Sequence, residues 1–584
     1  MKTKYFLFSL LIVLVTLNGC NSDKTEHINI KIIQTTDIHG TIFPYDFIEQ
    51  KEVSNSLANI YTLIKSVRAK NEDRVILLDN GDFLQGQPPV YYYNFEDTVA
   101  PHLGADVFNF MGYDAATVGN HDIETGHAVY DRFRKQLKMP YLAANAIDKS
   151  TGKPYFTPYT IIKRQGIKIA VLGLITPGIP NWIPEKLWQG MEFEDMVVSA
   201  KKWVKIIQQK ENPDLVIGMF HSGIDYLFEN PDGEEYMNEN ASKLVAKQVP
   251  GFDIVLAGHD HKKHYEKIIN NNGDTVVLLD ARSHSRAVSL IDIDFVFDKA
   301  TNRYKNRIKA KVIEIENEKP DASFLKTFGK QYETVKDYVN QPIGEFTDNI
   351  DSKYAYFGNS YFIDFIHTVQ LDITNADISF SAPLSLRVNI KKGHFYVSDL
   401  FKLYKYENFL YTISLTGNEI DGFLEYSAGL WFNTMNSKND HLLKLKEGKD
   451  GKYSLENKYF NFSSAAGINY IVDVTKPNGN KVKILGFDNG KRFYADSTYL
   501  VAVNSYRGNG GGGHLIVGAG LSKDELKNRL VETSKHDVRY MIMNWIKEKK
   551  VVHPKENSNW RIIPEDYYEW GKHRDMKLLF EKNN

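Results

Sequence analysis

Five short polar motifs each follow an apolar run, and this repeated junction constrains the chain more than any other feature. Asp37-Ile38-His39 follows KIIQTT, Gly81-Asp82 follows VILLDN, and Gly119-Asn120-His121-Asp122 follows AATV. His221 closes LVIGMF, and Gly258-His259-Asp260-His261 follows DIVLA. Runs this short and this apolar read as strands buried on both faces. Amphipathic stretches at 57–67 and 196–208 read as helices between them. This alternation from residue 28 to 314 predicts an α/β domain, with later strands at 275–279 and 288–297 in a second sheet packed on the first. In such domains ligands gather in the loops beyond the carboxyl ends of the strands. Residues i and i+2 of an extended segment point the same way, so Asp37 with His39, and His259 with His261, are expected to converge.

The donor types narrow the chemistry. Imidazole nitrogens with carboxylate and amide oxygens suit divalent Zn, Mn or Fe. A thiolate site is excluded, because Cys20 is the one cysteine in the chain. Two ions held close together need a shared carboxylate, and Asp82 in its glycine-flanked turn suits that place. Such a pair generates hydroxide near neutral pH and neutralises charge on a phosphoryl oxygen.

The amino terminus reads as an export signal. Lys2 and Lys4 precede an apolar run at 6–17, short for a membrane span, which ends in Leu17-Asn18-Gly19-Cys20. That ending resembles a bacterial lipobox. The resemblance implies a signal segment over 1–20, lipidation of Cys20, and a protein held at a membrane outside the cytoplasm by its lipid alone. With one cysteine, no internal disulfide can form. Against 72 basic side chains stand 73 acidic ones, a formal net charge of −1. No global field therefore points to a nucleic-acid polymer or an acidic lipid surface as partner. That leaves a small molecule as the expected partner, and the chain is expected to act as a monomer.

Beyond the α/β region, the polar stretch 316–342 reads as a linker helix and hinge. Residues 343–546 read as a second, α+β region and 547–584 as a charged, aromatic tail. In the second region Tyr406 and Asn408 precede an apolar strand, and Tyr506 precedes Gly508-Asn509-Gly510-Gly511-Gly512-Gly513. Two loop aromatics can sandwich a base, and a glycine-rich loop lets backbone approach it closely. On the residues alone the commoner case, ordinary loop or core tyrosines, is the stronger reading, and both stay open.

The order Asp-x-His, Gly-Asp, Gly-Asn-His-Asp, His, Gly-His-x-His resembles the calcineurin-like metallophosphoesterase superfamily. The resemblance implies a four-layer αββα sandwich carrying two metals. Asp37, His39, Asp82 and His261 would hold the first, and Asp82, Asn120, His221 and His259 the second. It implies that His121 is the catalytic histidine, stabilising the transition state or protonating the leaving group. Glu124, three positions on, would support it where the family commonly has aspartate. His102, His127 and His264 are expected to be surface or structural.

Over nearly the whole chain after Cys20 the sequence is similar to the two-domain bacterial 5′-nucleotidase and 2′,3′-cyclic-nucleotide 2′-phosphodiesterase/3′-nucleotidase family. That implies a small-molecule nucleotide as partner, its nucleoside stacked between Tyr406 and Tyr506 with Asn408 beside it. It also implies Arg387, in R-x-x-I-x-x-G, as a substrate-pocket arginine. Ser381-Ala382-Pro383-Leu384 stands where the family has Asn-x-Gly, so the loop before that arginine differs. Gly-His-x-His, Tyr406-x-Asn408 and Asn557-Ser558-Asn559-Trp560-Arg561 lean toward the cyclic phosphodiesterase branch. The implied activity is hydrolysis of nucleotide phosphate esters, opening a 2′,3′-cyclic ring and then removing the 3′-phosphate. The alternative is a 5′-nucleotidase or broad nucleotide phosphohydrolase. A more distant one is an inactive nucleotide-binding surface lipoprotein.

Overall fold

In the computed structural model, which describes residues 27–224 and 236–581, the apolar runs of the first half form two six-stranded sheets. The leader and Cys20 lie outside the described residues. The strands are β1 His27–Thr35, β2 Val75–Asp79, β3 Ala115–Thr117, β4 Tyr141–Leu142, β5 Tyr159–Arg164 and β6 Ile167–Ile175. They continue as β7 Leu215–His221, β8 Ile254–Ala257, β9 Lys263–Ile269, β10 Thr275–Ala281, β11 Ala287–Asp298 and β12 Arg303–Glu314. The first sheet runs β12-β11-β1-β2-β3-β4 and the second β9-β10-β8-β7-β6-β5.

Register decides where the motifs meet. β1 lies parallel to β2 with Thr35 opposite Asp79, and β7 lies parallel to β8 with Phe220 opposite Ala257. Their carboxyl ends therefore share one edge. Every residue of β2 and of β7 is buried, as parallel strands covered on both faces must be. Ile30, Ile32, Ile76 and Leu78 of one sheet pack against Ile169, Val171, Ile217 and Leu256 of the other. Each such side chain contributes about 2 kcal/mol relative to exposure. Helix α1 (Leu57–Asn71) covers the outer face of the first sheet through Ile60 and Ile64. Helix α2 (Met196–Glu211), capped by Asp195, covers the second through Val204 and Ile207. Helix, sheet, sheet, helix is the four-layer sandwich.

The polar stretch that follows contains an 18-residue helix, α3 (Ala322–Val339). Asp321 caps it by accepting from Phe324 N at 2.9 Å. Phe324 and Phe328 bury against Phe110, and Tyr338 donates to Glu96, so the helix lies along the first half. The second half holds a mixed five-stranded sheet. Its strands are β13 Ile378–Ser381, β14 Phe409–Thr416, β15 Ser464–Ala466, β16 Thr498–Asn504 and β17 Leu530–Asp537, in the order β15-β13-β16-β14-β17. Helix α4 (Tyr361–Thr374) packs beside this sheet, burying Phe362, Phe365 and Ile366.

The charged, aromatic tail is built into this half. Trp560–Ile563 pairs in parallel with Ile468–Asp473, and helix α5 (Glu565–Phe580) buries Asp575 and Leu579. The halves also share an apolar core: Tyr91 of the first meets Phe401 of the second edge-on at 5.2 Å. No helix among the described residues is long and apolar enough to cross a membrane.

Candidate active site between the two halves

The loops beyond β1 and β2 are laced together by their backbones. Asn80 N donates to Thr35 O at 2.8 Å, Asp37 N to Gly81 O at 2.9 Å, and His39 N to Asp82 O at 2.9 Å. Asp37, His39, Asp82, His259 and His261 have φ of 49°, 49°, 57°, 80° and 60°. The expected convergence of i and i+2 thus occurs, but through tight left-handed backbone rather than extended strand. Each such residue costs about 1–3 kcal/mol and persists only where its surroundings over-determine it. Asp122 supplies part of that constraint. Its carboxylate accepts from Gly119 N at 2.8 Å, Asp82 N at 3.0 Å, Phe83 N at 2.9 Å and Leu84 N at 2.8 Å. Gly119 is required there, because a Cβ would stand 2.2 Å from Asp82 Oδ1.

Two donor groups result. Asp37, His39 and His261 offer atoms within 4.8 Å of one another, and so do Asp82, His221 and His259. In the first group His39 Nε2 faces His261 Nε2 at 3.0 Å, and His261 Nε2 lies 3.4 Å from Asp37 Oδ1. In the second, His221 Nε2 lies 3.1 Å from both Asp82 Oδ2 and Asn120 Oδ1, and His259 Nδ1 lies 2.7 Å from Asn120 Oδ1. All seven candidate ligands read from the sequence come together.

The residues fit divalent cations. Asp82 is 1% exposed, yet its Oδ2 accepts no hydrogen bond. Facing imidazole nitrogens and an orphaned carboxylate oxygen are what a shared cation would satisfy. Burial opposes ionisation of Asp37 and Asp82, but the histidines around them outweigh it and hold both carboxyls below the usual range. Burial and the neighbouring His261 bring His39 down to about 4, so its imidazole is neutral and can donate a lone pair.

His121 stands beside these groups. Its backbone N–H donates to Asp82 Oδ1 at 2.8 Å, and its Nδ1 lies 2.6 Å from Glu124 Oε2. Burial pulls His121 down, yet the carboxylates of Asp82 and Glu124 outweigh it and push it up to about 10. Both residues line a cleft whose far wall is the second half: Leu384, Tyr406, Asn408, Phe460, Asn504 and Tyr506. Trp182, Ile183 and Glu239 close its side.

Phe460, Trp182 and Glu239 carry no motif. Phe460 stands edge-on to Tyr406 at 6.5 Å and to Tyr506 at 6.3 Å. Trp182 lies in Gly178-Ile179-Pro180-Asn181-Trp182, where an indole in a turn was the one available signal. Beneath the cleft Arg507 donates to Gly511 O at 2.6 Å and to Phe460 O at 2.9 Å, tying the two loops together. The glycine run does allow a close approach, but to the chain itself: a Cβ on Gly511 would meet the Tyr506 ring at 2.6 Å.

Residues 30–263 match the model of calcineurin-like phosphoesterases, and residues 342–518 match the 5′-nucleotidase C-terminal domain. The chain joins a calcineurin-like phosphoesterase domain to a 5′-nucleotidase C-terminal domain. It is 27% identical to the trifunctional nucleotide phosphoesterase protein YfkN of Bacillus subtilis over 92% of this chain, and spans 39% of that protein's length. It is 26% identical to the 2′,3′-cyclic-nucleotide 2′-phosphodiesterase/3′-nucleotidase of Haemophilus influenzae, covering 92% of this chain and 88% of that one. The crystal structure of a 5′-nucleotidase precursor from Thermus thermophilus shares the fold, with a TM-score of 0.61 at 20% identity over 92% of this chain and all of that one, 100%. Like its nucleotidase relatives, the chain is a phosphoester hydrolase.

One residue implied by the family resemblance is placed elsewhere. Arg387 is exposed and is not among the cleft residues. Its guanidinium donates to Leu579 O and lies 5.4 Å from the Phe580 ring, at the end of α5. The altered loop before it and this terminal helix give the side chain a different partner. His102 is a buried helix cap bonded to Asn94, His127 pairs with Asp131, and His264 with Glu266.

Proposed function

We propose that this chain is a two-cation hydrolase of nucleotide phosphate esters that opens 2′,3′-cyclic nucleotides and then removes the 3′-phosphate. One observation carries the reading: a single cleft runs from His259 and Asn120 of the second donor group, past His121, to the tyrosine pair of the second half. Relatives named for the cyclic phosphodiesterase and 3′-nucleotidase activities support the choice of ester.

Asp37, His39 and His261 would hold one cation, Asn120, His221 and His259 the other, with Asp82 shared. Zn, Mn or Fe suits these donors. Bound there, the cations supply an activated nucleophile and neutralise charge on the phosphoryl oxygens. The protein does the rest. Tyr406 and Tyr506 orient the base, with Asn408 beside them, and Phe460 backs both rings. Trp182 and Ile183 screen the reacting phosphate from bulk water. His121, oriented by Glu124 at Nδ1, is placed to stabilise or protonate the leaving oxygen.

Export and lipidation at Cys20 complete the proposal, supported by Lys2, Lys4 and the apolar run before Cys20. The nucleoside product would then be released outside the cytoplasm. The test compares kcat/KM on 2′,3′-cyclic AMP and on 5′-AMP for protein loaded with Mn²⁺. A preference for the cyclic ester of about tenfold or more, equal to about 1.4 kcal/mol, is expected. Preference for 5′-AMP would move the chain to the 5′-nucleotidase branch, and turnover of neither would sink the nucleotide reading. Labelled palmitate should enter the wild type and not Cys20→Ala; equal labelling would refute the anchor.

A further inference from the structure

The ring of His259 is held on three sides, and only one of them belongs to the donor groups. Its Nδ1 points to the second group, 2.7 Å from Asn120 Oδ1. Its Nε2 lies 2.9 Å from Glu239 Oε1. The indole of Trp182 stacks on its face, with centroids 5.9 Å apart and planes inclined by 21°. Other histidines of the site are fixed differently. His221 Nδ1 lies 2.7 Å from the Asn80 carbonyl, and His39 Nδ1 lies 3.1 Å from the Gln85 carbonyl. Those acceptors are neutral backbone. His259 alone, among the described ligand histidines, has its outer nitrogen on a side-chain carboxylate.

The loop that presents Glu239 is itself tied to the other ligand strand. Ser222, directly after His221, donates through Oγ to Glu239 O at 2.7 Å and accepts from Ala241 N at 2.8 Å. Ser242 Oγ donates back to Ser222 O at 2.8 Å. Gly223 leaves room for this turn, since a Cβ there would meet Asn240 Oδ1 at 2.1 Å. The end of β7 thus supplies one ligand, His221, and anchors the carboxylate that grips another, His259.

We propose that Glu239 is a positioning residue of the second metal group. Its carboxylate accepts from His259 Nε2–H, which fixes the tautomer with the lone pair on Nδ1, and its negative charge makes that lone pair a stronger donor. The two groups are therefore unequal: the second depends on a side chain that belongs to neither. This inference rests on the two-cation reading above, and the experiment separates the two.

The full chain, solubilised in detergent and stripped with chelator, is titrated with Mn²⁺ by calorimetry as wild type, Glu239→Ala and Glu239→Gln. Wild type is expected to take up two ions per chain. Glu239→Ala should leave one of the two affinities unchanged and weaken the other about ten- to a hundredfold. Glu239→Gln, which keeps an acceptor oxygen without the charge, should fall between. If the alanine variant fails to melt cooperatively, the glutamine variant carries the test. Two unchanged affinities in the folded variants overturn the proposal, and so does equal weakening of both. A wild type that binds no Mn²⁺ overturns the two-cation reading itself, and this inference with it.

Discussion

At the scale of single residues, Glu124 shows how side-chain length is absorbed locally. It reaches His121 Nδ1 at 2.6 Å with one more methylene than the aspartate common at this place in the family. Both residues sit at a short helical turn, three positions apart, where side chains meet on one face. Glu124 touches His121 rather than the donor groups, so its removal should act on the chemical step. Glu124→Ala is expected to lower kcat about tenfold to a hundredfold with KM nearly unchanged, and His121→Ala to lower it about 10²–10⁴-fold. Because the pair acts as a unit, the double variant should lose no more than His121→Ala alone. Fully additive losses in that cycle would show that Glu124 acts independently. His121 and the two donor groups could be located in the sequence because each sits at a strand-end junction with a distinctive side chain. Phe460, Trp182 and Glu239 could not, because one loop residue has no period and no partner spacing. Arg387 was misread because its actual partner, the end of α5, lies 192 residues away in sequence.

Elements were legible where their periods were. Buried strands such as VILLD and LVIGMFH and the amphipathic helices were readable from their patterns; the left-handed turns between them were not, since a positive φ at Asp37 or His259 has no signature. The built-in tail was hidden for a similar reason: its strand pairs with a segment far upstream. One contact links that tail to α4. Asp364, on the first turn of the helix, accepts from Ser360 N at 3.2 Å and from Asn557 N at 3.0 Å through the same oxygen. Burial outweighs both hydrogen bonds and pushes Asp364 up to about 7. The folded state therefore holds a proton there that the unfolded chain releases near its ordinary value of 3.8. The stability from this proton is complete below that value and is lost as pH rises toward 7, at up to about 1.4 kcal/mol per pH unit. Asp364→Asn keeps an acceptor and cannot ionise. Its melting temperature should gain on the wild type between pH 4 and 7 and hold a constant lead above that window. Parallel melting curves across the whole range would refute the assignment.

At the scale of the whole molecule, neither half has a complete site: one carries the donor groups and His121, the other the aromatic wall. What holds the wall against the groups is a buried cation. Arg539 is 0% exposed and donates to Tyr404 O at 3.0 Å and Lys405 O at 2.7 Å. It lies 4.2 Å from the Phe401 ring and 5.0 Å from the ring of Tyr91, which belongs to the first half. Its Nη1 stands 3.3 Å from Glu407, whose carboxyl burial pushes up to about 8 despite that guanidinium. Removing the arginine therefore leaves a protonated Glu407 rather than a bare charge. The loss falls instead on the backbone anchors of the segment that carries Tyr406 and Asn408. Arg539→Ala should cost about 3 kcal/mol, from two charge-assisted hydrogen bonds to backbone carbonyls at about 1.5 kcal/mol each. It should also raise KM for the nucleotide while Mn²⁺ uptake stays at the wild-type stoichiometry. Arg539→Lys keeps the charge but lacks the planar fork that reaches two carbonyls at once, so it should recover stability in part and KM hardly at all. A fall in melting temperature with KM unchanged would mean that Arg539 only fastens the halves, and that Tyr406 takes its position from the second half alone.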